Sequence, residues 1–129
     1  MPPAQEPDAI IAIVDDDETV RVTLSSLIRS LGYRVLKFAG GQELLDSPNR
    51  ADISCLVSDV QMPGMTGLEL YDRLVASGKP IPTILITAYP DEKGRDRAMK
   101  AGAFCYLKKP FAEEELLTCI RTILGAPGT

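Results

Sequence analysis

The chain is predicted to fold as an α/β domain whose parallel sheet is covered by helices on both faces, and three observations lead there. Apolar runs of strand length alternate with segments of helical period five times along the chain, as strands buried on both faces and their crossover helices should. Four of those runs, IAIVDDD, ISCLVSD, TILITA and FCYLKKP, end in reactive polar residues: Asp15 and Asp16, Asp59, Thr87 and Lys109. The length, 129 residues, suits one compact core. In a parallel sheet all carboxyl ends open on one edge, where ligands bind, so these distant residues can share a crevice.

Each element has its own signal. Residues 10–14, IIAIV, form a continuous apolar strand. Val20, Leu24, Leu27, Ile28 and Leu31 then recur at helical spacing, and Gly32 is placed just past the helix end. YRVLKF, residues 33–38, reads as the second strand, and GQELLDS as a short helix halted by Pro48. ISCLVSD is the third strand, broken from its helix by the QMPGMTG turn. The third helix is expected to bury Leu68, Leu70, Tyr71, Leu74 and Val75 and to stop near Gly78. PTILIT is the fourth strand. DEKGRDRAMKAG offers only Ala98, Met99 and Ala101 as a buried face and carries Gly94 inside, so a marginal helix is predicted. AFCYLK is the fifth strand. Glu113, Glu114 and Glu115 open the last helix, at the positive end of its dipole, and Leu116, Leu117, Ile120, Ile123 and Leu124 form its stripe before Gly125. Residues 1–8 are expected to be a flexible leader, 9–124 the domain and 125–129 a tail.

Composition narrows the function. A formal charge of −4 with scattered Lys and Arg argues against direct nucleic-acid binding, which needs clustered cations to displace counterions. No apolar run is long enough to span a bilayer, and MPPAQEPD lacks the blocks of a signal peptide, so a cytoplasmic protein without membrane contact is expected. Histidine is absent, which excludes Ser/His and Cys/His catalysis and a phosphohistidine on this chain. Cys55, Cys105 and Cys119 are an odd number without a CxxC pair; the expectation is three reduced thiols serving as small hydrophobes.

The strand-end residues suggest the chemistry. Two unit charges ~4 Å apart repel by about 4 kcal/mol at an effective dielectric near 20, so Asp15, Asp16 and Asp59 in one crevice call for a cation. Mg²⁺ takes oxygen ligands and is typically held by one or two carboxylates plus phosphate oxygens. A carboxylate beside a metal can attack phosphorus to form an acyl phosphate. Lys109 and Thr87 would then meet phosphoryl oxygens. The bland alternatives are that Asp17 caps the first helix and that Asp59 makes an Asx turn.

The strings VDDDETVR, LVSDVQMPGMTGLEL, LITA, AMKAGA and YLKKPF resemble the receiver domain of two-component response regulators, over residues 9–124. The resemblance implies a flavodoxin-like, doubly wound sheet of five parallel strands in the order 2-1-3-4-5, flanked by five helices. It implies Asp59 as phospho-acceptor, with Lys109 and Thr87 as phosphate partners. Asp15 and Asp16, Asp16 more directly, would hold Mg²⁺ (or Mn²⁺) together with Asp59 and the backbone carbonyl of Gln61. Tyr106 takes the switch aromatic position, and the Lys109–Pro110 peptide is expected to be cis.

The implied partners are a sensor histidine kinase or phosphotransfer protein and an output domain or protein, with a phosphorylation-dependent homodimer as a further option. The implied mechanism is a population shift: Thr87 is drawn inward, Tyr106 follows, and the face of the fourth helix, fifth strand and fifth helix is remodelled. The detailed style is similar to receivers of nitrogen-fixation-type regulators. Gln61 and Tyr89 stand where that family varies, and the Tyr89 ring is expected to shield the acyl phosphate. Two other readings fit parts of the pattern. DDDET also fits the DxDxT signature of haloacid-dehalogenase-like phosphatases, with Asp15 as nucleophile and Asp17 as general acid, but the further acidic pair is missing. A receiver-like module that is never phosphorylated would have lost an acidic residue, the acceptor or the lysine, and none is lost.

Overall fold

The computed structural model of the chain describes residues 9–124; the expected leader, tail and Gly125 helix stop lie outside the described residues. The elements run β1 (Ile10–Val14), α1 (Glu18–Ser30), β2 (Arg34–Phe38), α2 (Gly41–Leu45), a 3-10 turn (Arg50–Asp52), β3 (Ile53–Asp59), α3 (Gly67–Ala76), β4 (Thr83–Thr87), α4 (Glu92–Ala101), β5 (Cys105–Lys108) and α5 (Glu113–Leu124). All strand pairs are parallel, and the sheet order is β2-β1-β3-β4-β5. From β1 the chain winds first to one side and then to the other, which makes the gap beyond β1 and β3 the topological switch point. Among the described residues no helix is long and apolar enough to cross a membrane.

Alternation along the strands divides the core in two. Ile11, Ile13, Val57 and Ile84 pack with Ile28 of α1 and Ile120 of α5. Ile10, Ala12 and Leu56 face the other way, onto Leu44 of α2 and Leu70 and Leu74 of α3. A smaller cluster, Leu85, Ala98 and Ala103 with Tyr106 against it, lies under α4. The three central strands are almost wholly buried, while β2 and β5 at the edges are only partly covered.

Several expectations are corrected. Val75 and Met99 are each 44% exposed, and Ala101 is also exposed. Helical spacing places Val75 on the flank of the stripe, outside the arc that α3 presents to the sheet. In α4 only Ala98 is buried. That helix is nonetheless closed at both ends, by the Asp91 side chain accepting from Gly94 N–H and by Gly102 at φ 106°, a left-handed conformation that suits glycine. Ala103 N–H then bonds back to Ala98 O, so β5 begins at Cys105 instead of Ala103.

The cysteines differ most from expectation. Cys105 and Cys119 are paired as a disulfide that joins β5 to α5, with a Cα–Cα distance of 6.6 Å; Cys55 alone is free and buried. Spacing carries no trace of this pair, because packing of α5 on the sheet edge brings the two residues together.

Burial separates α3 positions that look alike in sequence. Leu70→Ala, at a fully buried site, is expected to cost about 2–5 kcal/mol. Val75→Ala should stay within about 0.5 kcal/mol. Urea unfolding of both variants checks the assignment.

Candidate functional site

The acidic crevice is assembled by backbone geometry at the strand ends. Asp15 follows β1 directly, and its N–H donates to Phe38 O at 3.2 Å, which extends the β1–β2 ladder by one bond. Its Oδ1 accepts from Asp17 N–H at 2.8 Å, and its carbonyl accepts from Arg21 Nη1 at 2.6 Å. Asp17 caps α1, accepting from Thr19 N–H at 2.8 Å and Val20 N–H at 3.3 Å. The capping alternative therefore holds for Asp17, and the proton donor of the DxDxT reading is engaged in holding a helix. Asp16, between them, is exposed.

Asp59 is the last residue of β3 and is buried. Its carbonyl accepts from Ser58 Oγ at 3.0 Å. A Cβ at Gly67 would collide with that carbonyl, so glycine is required for the start of α3 to approach this closely. Asp59 Oδ1 accepts from Gln61 N–H at 3.3 Å, the Asx-type contact, and Oδ2 remains for Lys109.

Lys109 comes from the far side of the sheet. Its backbone N–H donates to Thr87 O at 2.7 Å, and the Lys109–Pro110 peptide is cis. Nζ lies 3.4 Å from Asp15 Oδ2 and 3.4 Å from Asp59 Oδ2. One ammonium thus bridges two carboxylates that are nearly shut off from water. Carboxylate oxygens of Asp15, Asp16 and Asp59 all lie within 4.8 Å of one another.

Thr87 ends β4, fully buried, and donates its hydroxyl proton to Gln61 Oε1 at 2.5 Å. Tyr106 stands on the opposite side of β5 from the disulfide, packed on Leu85 and Ala98. Tyr89 donates its N–H to Thr87 Oγ1 at 3.0 Å, and the residue is 76% exposed.

Charge and burial combine on Asp59. Burial pushes its carboxyl above the usual carboxylate range, and the Asp15 charge adds to this; Lys109 and the Gln61 N–H pull the other way. The Tyr106 hydroxyl is also held above its ordinary value, first by burial and then by the charge of Asp91.

Sequence reasoning found the five strand-end residues and missed their supports. Arg21 and Ser58 bond to the carbonyls of Asp15 and Asp59. Ser58, a polar residue inside an apolar strand, was a readable signal. Arg21 follows Asp17 by one helical turn and was readable only once the helix start was known. The Gln61–Thr87 bond had no signal, since it joins the end of β4 to the loop after β3 across 26 residues of sequence.

The fold and crevice define a doubly wound α/β protein with an acidic pocket at its switch point. Comparison narrows that class. Residues 11–121 match the family model described as "Response regulator receiver domain". The response regulator protein TmoT of Ectopseudomonas mendocina is 43% identical over 117 residues, 91% of this chain and 53% of that protein. The transcriptional regulatory protein FixJ of Bradyrhizobium diazoefficiens is 37% identical over 114 residues, 88% of this chain and 56% of that one. The crystal structure of FixJ-N superposes with a TM-score of 0.81 at 33% identity, covering 91% of this chain and 94% of that one. The chain belongs to the response regulator receiver domain family of two-component systems. It spans about half the length of the curated relatives it matches.

The raised pKa of Asp59 has a signed consequence for stability. A carboxyl that ionises less readily when folded destabilises the fold above its folded pKa, and the cost disappears as pH falls toward the ordinary value of an unfolded aspartate, about 3.9. In chelator-treated buffer Asp59→Asn should therefore melt above wild type at pH 7. The gap should narrow on acidification toward pH 4, as followed by circular dichroism.

Proposed function

We propose that this domain accepts a phosphoryl group on Asp59 from a sensor histidine kinase or phosphotransfer protein in the cytoplasm, and that the modification reshapes the face of α4, β5 and α5. The observation that carries the reading is the Lys109 bridge between Asp15 and Asp59. It brings the residues that follow β1 and β5 together around the carboxylate that ends β3. The domain is taken to be residues 9–124, flanked by a leader and a tail.

The residues suit a divalent cation. Carboxylates from Asp15, Asp16 and Asp59 offer three hard oxygen ligands, and the carbonyl of Gln61, next along the loop, offers a fourth. An all-oxygen set of this kind fits Mg²⁺ or Mn²⁺. When bound, such a cation would supply positive charge to the transferring phosphoryl oxygens.

The chain's own groups do the rest. An Asp59 carboxylate oxygen attacks phosphorus in line; the new P–O bond forms as the P–N bond of the donor phosphohistidine breaks, and the imidazole leaves with that electron pair. Lys109 turns from bridging two carboxylates to meeting a phosphoryl oxygen, a charge-assisted contact. The Thr87 hydroxyl donates to another. Phosphorylation adds about −1.5 to −2 charge where Asp59 had one. Thr87 moves toward it, and Tyr106, on the neighbouring strand, takes up the space. Tyr106 lines a shallow groove with Pro90, Asp91, Arg95 and Lys108, so its motion changes the shape of that face. An output domain, or a second phosphorylated copy, would read it. The relatives' greater length supports an output domain. The protein is a phospho-acceptor whose phosphotransfer and later hydrolysis are self-catalysed, not an enzyme with a separate substrate.

Intact mass after incubation with acetyl phosphate tests the reading. A gain of one phosphoryl group that needs Mg²⁺ and is lost in Asp59→Asn is expected. A gain that survives the substitution, or none in the wild type, would contradict it.

A further inference from the structure

Thr87 has a single hydroxyl proton, and it is committed. Thr87 Oγ1 donates to Gln61 Oε1 at 2.5 Å and accepts from Tyr89 N–H at 3.0 Å. The hydroxyl is wholly buried, while Gln61 is exposed at the rim of the crevice. The bond therefore reaches from the core to a surface side chain across 26 residues of sequence. The backbone of Gln61 is tied to the same centre, its N–H donating to Asp59 Oδ1 at 3.3 Å. One residue thus touches both the carboxylate and the hydroxyl that would act on the same phosphoryl group.

A hydroxyl cannot give one proton to two acceptors. The geometry points to Gln61 as a positioning residue: its side-chain amide holds the Thr87 hydroxyl away from Asp59 and so sets the threshold for the phosphorylation-driven rearrangement. This rests on Asp59 being the acceptor, as proposed above. In the unmodified protein the amide oxygen is the acceptor within reach. A phosphoryl group on Asp59 offers charged oxygens, and hydrogen bonds to ionised acceptors are about twice as strong as neutral ones. The hydroxyl changes partner, but the lost Gln61 bond offsets part of the gain. Removing the amide acceptor lowers that opposition. The apparent affinity for a phosphoryl-like ligand should then rise by the fraction of molecules freed.

The net worth of one such bond corresponds to about a three- to tenfold change in affinity. Gln61→Met keeps the side-chain length and leaves only a weak thioether acceptor. The exposed position should tolerate it, and the backbone contact to Asp59 is unaffected. The probe is beryllofluoride with Mg²⁺, a phosphoryl mimic, titrated by calorimetry into wild type, Gln61→Met, Thr87→Ala, Thr87→Ser and the two double variants.

Tighter binding by Gln61→Met, about three- to tenfold, is expected in the wild-type and Thr87→Ser backgrounds, where a hydroxyl remains. In the Thr87→Ala background the gain should vanish. An equal gain there would overturn the proposal, because Gln61 would then act by access and not through the hydroxyl. Unchanged or weaker binding by Gln61→Met would overturn it as well. Wild type that binds no beryllofluoride would instead overturn the phospho-acceptor reading beneath it.

A second readout needs neither ligand nor metal. The Thr87 methyl signal of ligand-free Gln61→Met should move toward its position in beryllofluoride-bound wild type. If Thr87→Ala binds too weakly to titrate, this signal decides, and an unmoved signal contradicts the role.

Discussion

Everything at the working edge of this domain depends on burying two carboxylates beside a third with one ammonium between them. Asp15 and Asp59 are nearly removed from water and share Lys109 at 3.4 Å each, with Asp16 close by on the exposed side. Like charges at such distances repel by several kcal/mol unless compensated; the ~4 kcal/mol at 4 Å for a dielectric near 20 sets the scale. One lysine cannot compensate three carboxylates. Burial is the main reason the Asp59 carboxyl is held above the usual carboxylate range; Lys109 opposes that shift and the Asp15 charge adds to it. A buried carboxyl with a perturbed titration beside a charged partner suits a site whose charge state carries information.

The scaffold exists to hold that edge still. Central strands β1, β3 and β4 are buried on both faces, so their ends are anchored by close-packed apolar layers. Backbone bonds carry the rigidity outward: Asp15 to Phe38, Val60 to Ile86 and Lys109 to Thr87. The outer elements are less deeply packed. Helix α4 buries one side chain, and β5 at the sheet edge is only partly covered, which is where the proposed response to phosphorylation would be felt. The Cys105–Cys119 link ties β5 to α5 on the face away from Tyr106.

What the sequence made legible follows from how local each signal is. The strands IIAIV and ISCLVSD are continuous apolar runs that only a doubly covered sheet can use, and both were found with their ends in register with the chemistry. Asp15, Asp59, Thr87 and Lys109 were readable because each closes such a run, and the sheet's parallel sense brings run ends together. Burial on helix flanks was not readable at Val75 and Met99, since helical period marks an arc and the width of that arc is set by the partner layer. Side-chain pairs made across the fold left no mark either. Cys105 with Cys119, Gln61 with Thr87 and Arg21 with the Asp15 carbonyl are products of tertiary approach. The strand order was likewise imported through resemblance, and the structure has it as 2-1-3-4-5.

The central claim is electrostatic, and Mg²⁺ affinity tests it most directly. Calorimetric titration of Mg²⁺ into wild type and Lys109→Met separates the cation site from any phosphoryl chemistry. Loss of the bridging ammonium leaves Asp15 and Asp59 less compensated, so the account predicts that Lys109→Met binds Mg²⁺ several-fold more tightly than wild type. Weaker binding by the variant, or no binding by either protein, would contradict the claim that unbalanced carboxylate charge at this edge is what the site is built around.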